Sequence, residues 1–449
     1  MVESFSEMTR AVRSLNAVKN SKEMLPKFYL RARKRKDTDG ALAWCMAGIP
    51  PELLQSFDLN SEWPENFSTM CAARLVAPGF IEIAEGEGYS GELCSYLTNT
   101  MGYCKRTIDL SAPPPESPLE GGMGIPTMLL GSGYACDPRW KWFQAIATRY
   151  FSVPLFSTDP MSPPFDIDVK DPRVAEHYVS QYRADLTAQI SFLEKHTGKE
   201  FNPDRFRTIM ANSQKAIKIL HEILDMRKAK PCPMSAGDYF SAIIPQMYML
   251  GEEETIYYYQ AIHDEVKQRV ENGVGVITNE KYRLFWTGLP PWFNLGLFNY
   301  LESLGAVVVI EASYYCGPPE EVDLSDPLEG LVQRIWKKTC WRHSRRTEAA
   351  PEVSNHAVFG PLGSLGLLHW VREYDLDGAL MHRNRSCRAT SLGQIHYSNV
   401  LNEVGIPSLI IESDMADPRA WSDSRIKAQV EAFLEVIDNS RQRTIVNNT

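Results

Sequence analysis

The sequence lacks any apolar run long enough to cross a membrane. Residues 306–310, among its most apolar stretches, are five residues long, whereas a membrane-spanning helix needs ~20. The first seven residues, MVESFSE, do not place an apolar segment after a basic one, as an export signal would. We therefore expect a cytoplasmic protein with no membrane segment.

The chain also has too little positive charge for a nucleic-acid-binding protein. Its 47 Lys and Arg residues are outnumbered by 56 Asp and Glu residues, which gives a net charge of −9. Binding to a phosphate backbone requires a basic face, so this balance argues against a nucleic-acid partner. With 44% hydrophobic and 23% charged residues in 449, the composition is that of a globular protein. At about 150 residues per domain, two or three domains are expected.

Short catalytic and metal-binding motifs are missing as well. The sequence contains no CxxC pair, His-rich tract, GxSxG elbow, HExxH helix or Walker-type phosphate loop. The nine cysteines are odd in number and follow no export signal, so they do not describe a disulfide framework. Any metal site must therefore be assembled from distant segments.

Strand and helix patterns alternate in two separate parts of the chain. This alternation predicts an α/β fold class with two open, mostly parallel sheets of the Rossmann or flavodoxin type. We predict an N-terminal helical segment over 1–39, a first α/β domain over 40–170, a helical bridge over 171–275 and a second α/β domain over 276–449. The basic run at 31–36 is interpreted as a solvated helix end, with a docking patch for an acidic or phosphorylated partner as the alternative.

Hydrophobic periodicity, together with residues that start or end helices and strands, predicts the individual elements. Strands are predicted at 41–46, 126–130, 152–156, 283–288, 306–310, 378–382 and 407–411. Helices are predicted from Pro50, from Asp137, over 174–195, over 203–228, from Gly251, and over 293–304, 390–404 and 425–437. Gly131-Ser132-Gly133 is expected to end a strand, and a proline-rich loop is expected at 112–118.

Three cysteines occupy suggestive positions. Cys136 and Cys387 each follow a predicted strand and precede a helix, and Cys94 lies near the start of another helix. A helix N-terminus stabilises thiolate, and thiolates bind zinc and iron–sulfur clusters. Three such sulfurs on converging loops would hold a 4Fe-4S cluster with one iron open, although inert buried thiols are the simpler interpretation. Cys45 and Cys340 are interpreted as inert, and four cysteines have no assigned role: Cys71, Cys104, Cys232 and Cys316.

Other candidate residues have plain structural interpretations. Gly131-Ser132-Gly133 is a weak phosphate-loop pattern that more simply permits a tight turn. Glu65 is either a buried acid or an exposed turn carboxylate, and the exposed one is favoured. His382, at a strand end, is either a hydrogen-bonded structural histidine or a proton donor.

Several segments, in order, resemble the 2-hydroxyacyl-CoA dehydratase / benzoyl-CoA reductase family. The segments that carry this resemblance are residues 64–66 (PEN), 93–96 (LCSY), 121–142 (GGMGIPTMLLGSGYACDPRWKW), 384–388 (NRSCR) followed by Gly393 and Gln394, and 411–419 (IESDMADPR). Together they span about residues 40 to 440. Within the family, the chain looks most like the larger cluster-bearing subunit of ATP-dependent class I benzoyl-CoA reductase.

The resemblance implies a site and a reaction. Matched to the family motifs, Cys94, Cys136 and Cys387 would bind the iron of a 4Fe-4S cluster, and Glu65 would be an acid beside it. The implied reaction reduces the ring of benzoyl-CoA through a ketyl-type radical anion to a cyclohexa-1,5-diene-1-carbonyl-CoA, in anaerobic degradation of aromatic compounds. CoA phosphates need cationic partners, for which Arg139, Lys141 and Arg388 lie near the right loops.

The resemblance also implies partners. They are a related cluster-bearing subunit forming a heterodimer, ATP-hydrolysing electron-donor subunits that use ATP and Mg, and ferredoxin indirectly. Four alternatives stay open: a 2-hydroxyacyl-CoA dehydratase subunit, an ATP-dependent double-cubane reductase, an electron relay whose partner holds the substrate, and a two-lobed scaffold with inert thiols. A double-cubane reductase would need more converging cysteines than the sequence places.

Overall fold

The computed structural model describes residues 10–20, 24, 27–28, 40–133, 136–159, 161–164, 167–349 and 366–447. Within these residues, eight strands form two four-stranded sheets. The first sheet contains β1 (Leu42–Cys45), β2 (Asn60–Glu62), β3 (Met128–Ser132) and β4 (Leu155–Thr158). The second sheet contains β5 (Tyr282–Thr287), β6 (Ala306–Glu311), β7 (Gly378–Asn384) and β8 (Ser408–Ser413).

The two sheets share one topology. Their strand orders are β2-β1-β3-β4 and β6-β5-β7-β8, and every neighbouring pair is parallel. Strands β1, β3, β5 and β6 are buried along their whole length, as expected for sheets covered by helices on both faces. In this order the connections change sides between β1 and β3, and again between β5 and β7. Ligands of open α/β sheets bind at the carboxyl ends of the strands at such switch points.

Helices cover the sheets and fill the long segment between them. In the first half they are α1 (Asn16–Asn20), α2 (Pro51–Ser56), α3 (Pro64–Ala73), α4 (Ala77–Gly86), α5 (Ser95–Leu110) and α6 (Pro138–Ala145), which continues as a π-helix over Ile146–Phe151. Between the sheets lie α7 (Pro172–Thr197), α8 (Pro203–Met226), α9 (Ala236–Tyr248) and α10 (Glu253–Glu271). The second half adds α11 (Gly296–Ser303), α12 (Pro327–Ala349), α13 (Gly366–Glu373), α14 (Arg388–Ser391), α15 (Gln394–Glu403) and α16 (Asp423–Asn447).

The long helices α7 and α8 connect the two halves. Each begins at a capped residue, since Asp171 accepts from the Arg173 amide and Asn202 from the Arg205 amide. Helix α7 packs against β4 of the first sheet and against α12, which lies between β6 and β7 in the chain. Helix α8 contacts α2, α10 and α12. One apolar cluster consequently includes residues from both sheets and from the helices between them.

The predicted alternation is confirmed, with differences at element ends. Gly131 and Ser132 continue β3 rather than ending it, because they pair with Ser157 and Thr158 of β4. The short strand β2 was not predicted, and it pairs only with β1 at the sheet edge. Residues 390–404 form two helices instead of one; the break lies at Leu392 and Gly393, where glycine weakens helix formation.

Within its described residues, the N-terminal segment is helical at α1 and at residues 24, 27 and 28. Residues 10–15 precede α1 without regular structure, and the basic run at 31–36 lies outside the described residues. The segment docks on the intervening helices: the Asp238 carboxylate accepts from the Ser14 amide at 2.9 Å, and Glu265 accepts from the Asn16 amide at 2.9 Å.

Among the described helices, none is by itself long and apolar enough to cross a membrane. Helices α3 and α4 pass that test of length and composition only as a pair, and they are bent by 118° at their break. Their apolar residues Phe67, Cys71, Phe80 and Ile81 belong to the core cluster.

Candidate functional site

The fold places two of the three predicted cysteines after corresponding strands of the two sheets and the third at the start of a helix. Cys136 follows β3 and Cys387 follows β7, which are the corresponding strands of the two sheets. Cys94 is the N-cap residue of α5, and Cys387 is the N-cap residue of α14. Each switch point therefore contributes one thiol, and the start of α5 contributes the third.

The three thiols are close enough to influence one another. Burial raises the pKa of Cys94 well above its usual value, and Cys387 and Cys136 raise it further. Burial raises the pKa of Cys136 to about 11, with a smaller contribution from Cys387. Within the described residues, no three His, Cys, Asp or Glu side chains stand at metal-ligand spacing. The structure thus brings the thiols together without setting them at the spacing of a bound metal.

The expectation that helix N-termini lower these pKa values is wrong for the metal-free chain. Burial raises the pKa of Cys387 even though the Thr390 hydroxyl donates to its sulfur at 3.3 Å. Desolvation of a thiolate in an apolar environment outweighs the partial charges of the helix end. At neutral pH the thiols are therefore protonated, and metal binding would release their protons.

Glu65 forms an ion pair with Arg139 beside Cys136, and is not an exposed turn carboxylate. Arg139 Nη2 donates to Glu65 Oε2 and to the Ala47 carbonyl, both at 2.6 Å. The Ala47 amide also donates to Glu65 Oε2, at 2.8 Å. Arg139 acts to lower the pKa of Cys136, and Glu65 acts to raise it. The pair joins the end of β1 to the first turns of α3 and α6.

Arg139 is consequently no candidate for CoA phosphates. It is only 5% exposed, and its guanidinium is engaged by Glu65 and Ala47. Burial acts to lower the pKa of Arg139, but Glu65 outweighs this and the pKa is raised. Lys141 is exposed, and Arg388 exposes 73% of its side chain at 3.8 Å from Asp137. Both side chains are exposed, and their contact with CoA stays a prediction.

Two tyrosines lie within electrostatic range of the thiols and pack against further aromatic side chains, and this part of the site was not predicted. Trp292 Nε1 donates to the Tyr96 hydroxyl at 2.5 Å, and Phe240 packs edge-on against Trp292 and Tyr314. Burial raises the pKa of Tyr314, with further contributions from Cys387 and Glu65. Burial also raises the pKa of Tyr96, to which Tyr314 and Cys94 contribute. The only sequence signal was the position of Tyr96, two residues after Cys94.

A polar cavity adjoins this cluster on the side of α5. It has a volume of about 320 Å³, and its lining includes Ser95, Arg385 and Asp414. Within the described residues, the buried Ser95 hydroxyl oxygen has no hydrogen-bond partner. Ser95 directly follows Cys94 in the chain, and soft thiols with a nearby unpartnered hydroxyl are a donor set that suits a sulfur-ligated cofactor and a polar ligand.

His382 is a structural residue. Its Nδ1 lies 2.5 Å from the Leu289 carbonyl and its Nε2 lies 2.6 Å from the Ser413 hydroxyl. A Cβ on Gly288, whose φ is +92°, would come within 2.3 Å of the His382 carbonyl oxygen, so glycine allows β5 and β7 to approach here. Burial lowers the pKa of His382 to about 4. The imidazole is therefore neutral at pH 7.

His382 is expected to make stability pH-dependent below pH 7. Its pKa is about 4 in the folded chain against a usual value of 6.5, so between these values the unfolded chain binds a proton that the folded chain does not. Stability is fully present above pH 6.5 and is lost as the pH falls toward 4. This histidine contributes about 2 kcal/mol to the loss between pH 7 and pH 5. Urea unfolding of His382→Gln at both pH values should show a correspondingly smaller difference, and an unchanged difference would contradict this assignment.

Comparison with known proteins identifies the family. The 2-hydroxyglutaryl-CoA dehydratase, D-component family model matches residues 46–437, which include all of the second sheet, strands β2, β3 and β4 of the first sheet, and all three cysteines. An α/β protein with two parallel sheets and thiols at both switch points thus belongs to the 2-hydroxyglutaryl-CoA dehydratase D-component family.

Relatives include both reductases and dehydratases. A benzoyl-CoA reductase subunit of Thauera aromatica is 27% identical over 438 residues, covering 94% of this chain and 94% of that protein. The alpha subunit of lactoyl-CoA dehydratase of Anaerotignum propionicum is 25% identical over 423 residues, covering 91% and 93%. The (R)-2-hydroxyisocaproyl-CoA dehydratase alpha subunit of Clostridioides difficile is 24% identical over 427 residues, covering 94% and 96%. The chain is therefore similar to subunits of enzymes that act on CoA thioesters.

Proposed function

We propose that this chain is a cluster-bearing subunit of an ATP-dependent benzoyl-CoA reductase. The observation that carries the proposal is the convergence of Cys94, Cys136 and Cys387 beside an ion pair and an aromatic wall. Aromatic edges and faces pack favourably against a flat ring. The similarity to the Thauera aromatica benzoyl-CoA reductase subunit over nearly the whole chain supports this choice of substrate.

In this proposal the three cysteines hold a 4Fe-4S cluster. When bound, such a cluster would supply single electrons at low potential. The thiols suit it because they are soft ligands, are partly buried and lie within electrostatic range of one another. Their surroundings exclude water on the side of Tyr96 and Trp292, and a low dielectric around a cluster is one determinant of its potential.

The remaining residues bind and orient the thioester. Glu65, held through Oε2 by Arg139 and the Ala47 amide, would handle a proton at the substrate. Arg385 and Arg388 flank Cys387 and expose 64% and 73% of their side chains, so their guanidinium groups can reach the phosphates of CoA. A related subunit, ATP-hydrolysing electron-donor subunits and ferredoxin upstream of them would complete the complex in the cytoplasm of an anaerobic cell.

Two assays on the anaerobically purified complex test this function. Co-expressed with its partner subunit and supplied with the electron donor and ATP, the complex should reduce benzoyl-CoA to a cyclic diene. The same preparation should be given (R)-lactoyl-CoA, and loss of water should be followed by mass spectrometry. Ring reduction without dehydration would support the proposal, whereas dehydration without ring reduction would overturn it.

A 2-hydroxyacyl-CoA dehydratase subunit is the second candidate. The family model is named for a dehydratase, and the lactoyl-CoA and 2-hydroxyisocaproyl-CoA relatives cover this chain as fully as the reductase subunit does. The same thiols, ion pair and cavity would serve elimination of water. The lactoyl-CoA arm of the assay decides between the two candidates.

Glu65→Gln is expected to lower turnover and leave iron binding intact. Glutamine retains the size of the side chain and an oxygen for its hydrogen bonds, but it removes the charge paired with Arg139 and can no longer exchange a proton. Loss of a general acid or base typically costs about a hundredfold or more. A urea midpoint measured on the same variant separates this loss from the stability lost with the ion pair. Steady-state rates and iron content should be measured on the same preparations. Glu329→Gln, which removes a carboxylate paired with Arg183, is the control. Wild-type turnover in Glu65→Gln would remove Glu65 from the mechanism.

A further inference from the structure

A buried serine connects the two segments that carry Cys94 and Cys387. The Ser386 hydroxyl donates to Asp414 Oδ2 and accepts from the Ser95 amide at 3.1 Å. Ser386 directly precedes Cys387, and Ser95 directly follows Cys94. Although Ser95 and Ser386 are 291 positions apart in the chain, one hydroxyl thus ties the start of α5 to the loop after β7.

Asp414 holds that serine in one orientation. Its Oδ1 accepts from the amides of Ala416 and Asp417 at 2.9 and 3.1 Å, so the carboxylate is fixed by the turn that follows β8. Its Oδ2 also accepts from the Ser386 amide at 3.3 Å. With the Ser386 proton directed at Asp414, a lone pair of the hydroxyl oxygen remains for the Ser95 amide.

The hydrogen bond from Ser95 reaches the first turn of α5, whose N-cap residue is Cys94. An N-cap side chain usually accepts from the second or third amide of its helix. Ser386 accepts from the first amide, which is that of Ser95. It therefore holds the residue that directly follows Cys94 in the chain.

We propose that Ser386, oriented by Asp414, is a positioning residue that sets the separation of Cys94 and Cys387 and so allows both sulfurs to bind one metal centre. The inference rests on the proposed function, since it assumes that these thiols are ligands. The hydrogen bond between Ser95 and Ser386 adds a directional link between the start of α5 and the loop after β7. Hydrogen-bonded groups behind metal ligands typically change metal affinity by about 10–100-fold.

Cobalt titration of the metal-free full chain tests the inference. Co²⁺ bound by thiolates gives a ligand-to-metal charge-transfer absorption, which measures affinity without the assembled enzyme. Ser386→Ala should weaken Co²⁺ binding at least about tenfold, while Ser386→Thr, which keeps the hydroxyl, should retain most of the affinity. Ser391→Ala is the matched control, because the Ser391 hydroxyl bonds to the Asn384 carbonyl in the same loop without reaching α5.

The readouts separate positioning from folding. Urea midpoints of Ser386→Ala and Ser391→Ala should be similar, so that only the cobalt affinity differs. Asp414→Asn gives an independent variant. With its oxygen bound to the amides of Ala416 and Asp417, the asparagine side chain turns its NH2 group, which cannot accept a hydrogen bond, toward the Ser386 hydroxyl. This variant should also weaken Co²⁺ binding. Equal affinities of wild type, Ser386→Ala and Asp414→Asn would overturn this inference alone. Absence of the charge-transfer band in wild type would overturn the proposed function and this inference with it.

Discussion

Cys387→Ser is expected to remove most of the iron from the anaerobically purified protein. Wild type co-expressed with its partner should hold about four iron and four acid-labile sulfide per chain, and the variant less than about one of each. A serine hydroxyl is a hard, weakly acidic ligand, and two remaining thiols do not hold a cluster that needs three. Iron and sulfide should be measured on the same sample, with Cys94→Ser and Cys136→Ser giving the same loss.

Cys340→Ser is the matched control for this loss. Cys340 is a half-buried thiol on α12 whose pKa is raised by burial, as is that of Cys387. Its replacement should leave iron, sulfide and colour unchanged. Full iron in Cys387→Ser would show that Cys387 is not a ligand, whereas wild-type protein that folds without iron would favour a scaffold role. Equal loss in Cys340→Ser would show that the iron depends on folding alone.

Arg227→Ala is expected to give the largest loss of stability of the substitutions considered. Arg227, at the end of α8, donates to both carboxylate oxygens of Glu311 at 2.6 and 2.8 Å, and both side chains have 0% exposure. The guanidinium also lies over the ring of Tyr239 at 5.0 Å. Removing one partner leaves a buried charge uncompensated, which lowers the free energy of unfolding by about 3–5 kcal/mol. Urea unfolding at pH 7 measures the change.

Two further variants show whether the buried charge is the cause. Arg173→Ala removes an exposed guanidinium paired with Asp171 and should hardly move the urea midpoint. In the double variant Arg227→Met with Glu311→Leu, no charge is left buried, so most of the lost stability should return. If the double variant were as unstable as Arg227→Ala, packing rather than charge would explain the effect. Because this pair joins α8 to the end of β6, its loss should loosen the second sheet from the intervening helices.

The local elements and the position of the thiols could be predicted from the sequence. Alternating apolar strands and amphipathic helices are local patterns, and strands β3 and β7 with the cysteines behind them follow directly from them. The ends of the elements could be predicted less well. At Gly131 and Ser132 the strand is extended by pairing with β4, which local composition does not reveal. The same reason explains the unpredicted edge strand β2.

The roles of charged residues in the site could not be read from the sequence. Arg139 lies at the start of α6, near the loops expected to meet CoA, yet the fold buries it against Glu65 and Ala47. Glu65 lies in the first turn of a helix, where carboxylates are usually solvated, but its partner comes from 74 positions away. Both assignments depend on which segment packs alongside, and no local pattern contains that information.

The sequence by itself determined the α/β class, the three thiols at strand and helix ends, and the resemblance to a family of CoA-thioester enzymes. Each of these depends on residue types and spacing within one segment. Only the tertiary structure decided that burial raises the pKa of those thiols, that Tyr96 and Tyr314 lie near them, and that Ser386 joins two of their segments. Desolvation and hydrogen bonding over hundreds of positions arise when distant segments pack, so the folded chain alone determines them.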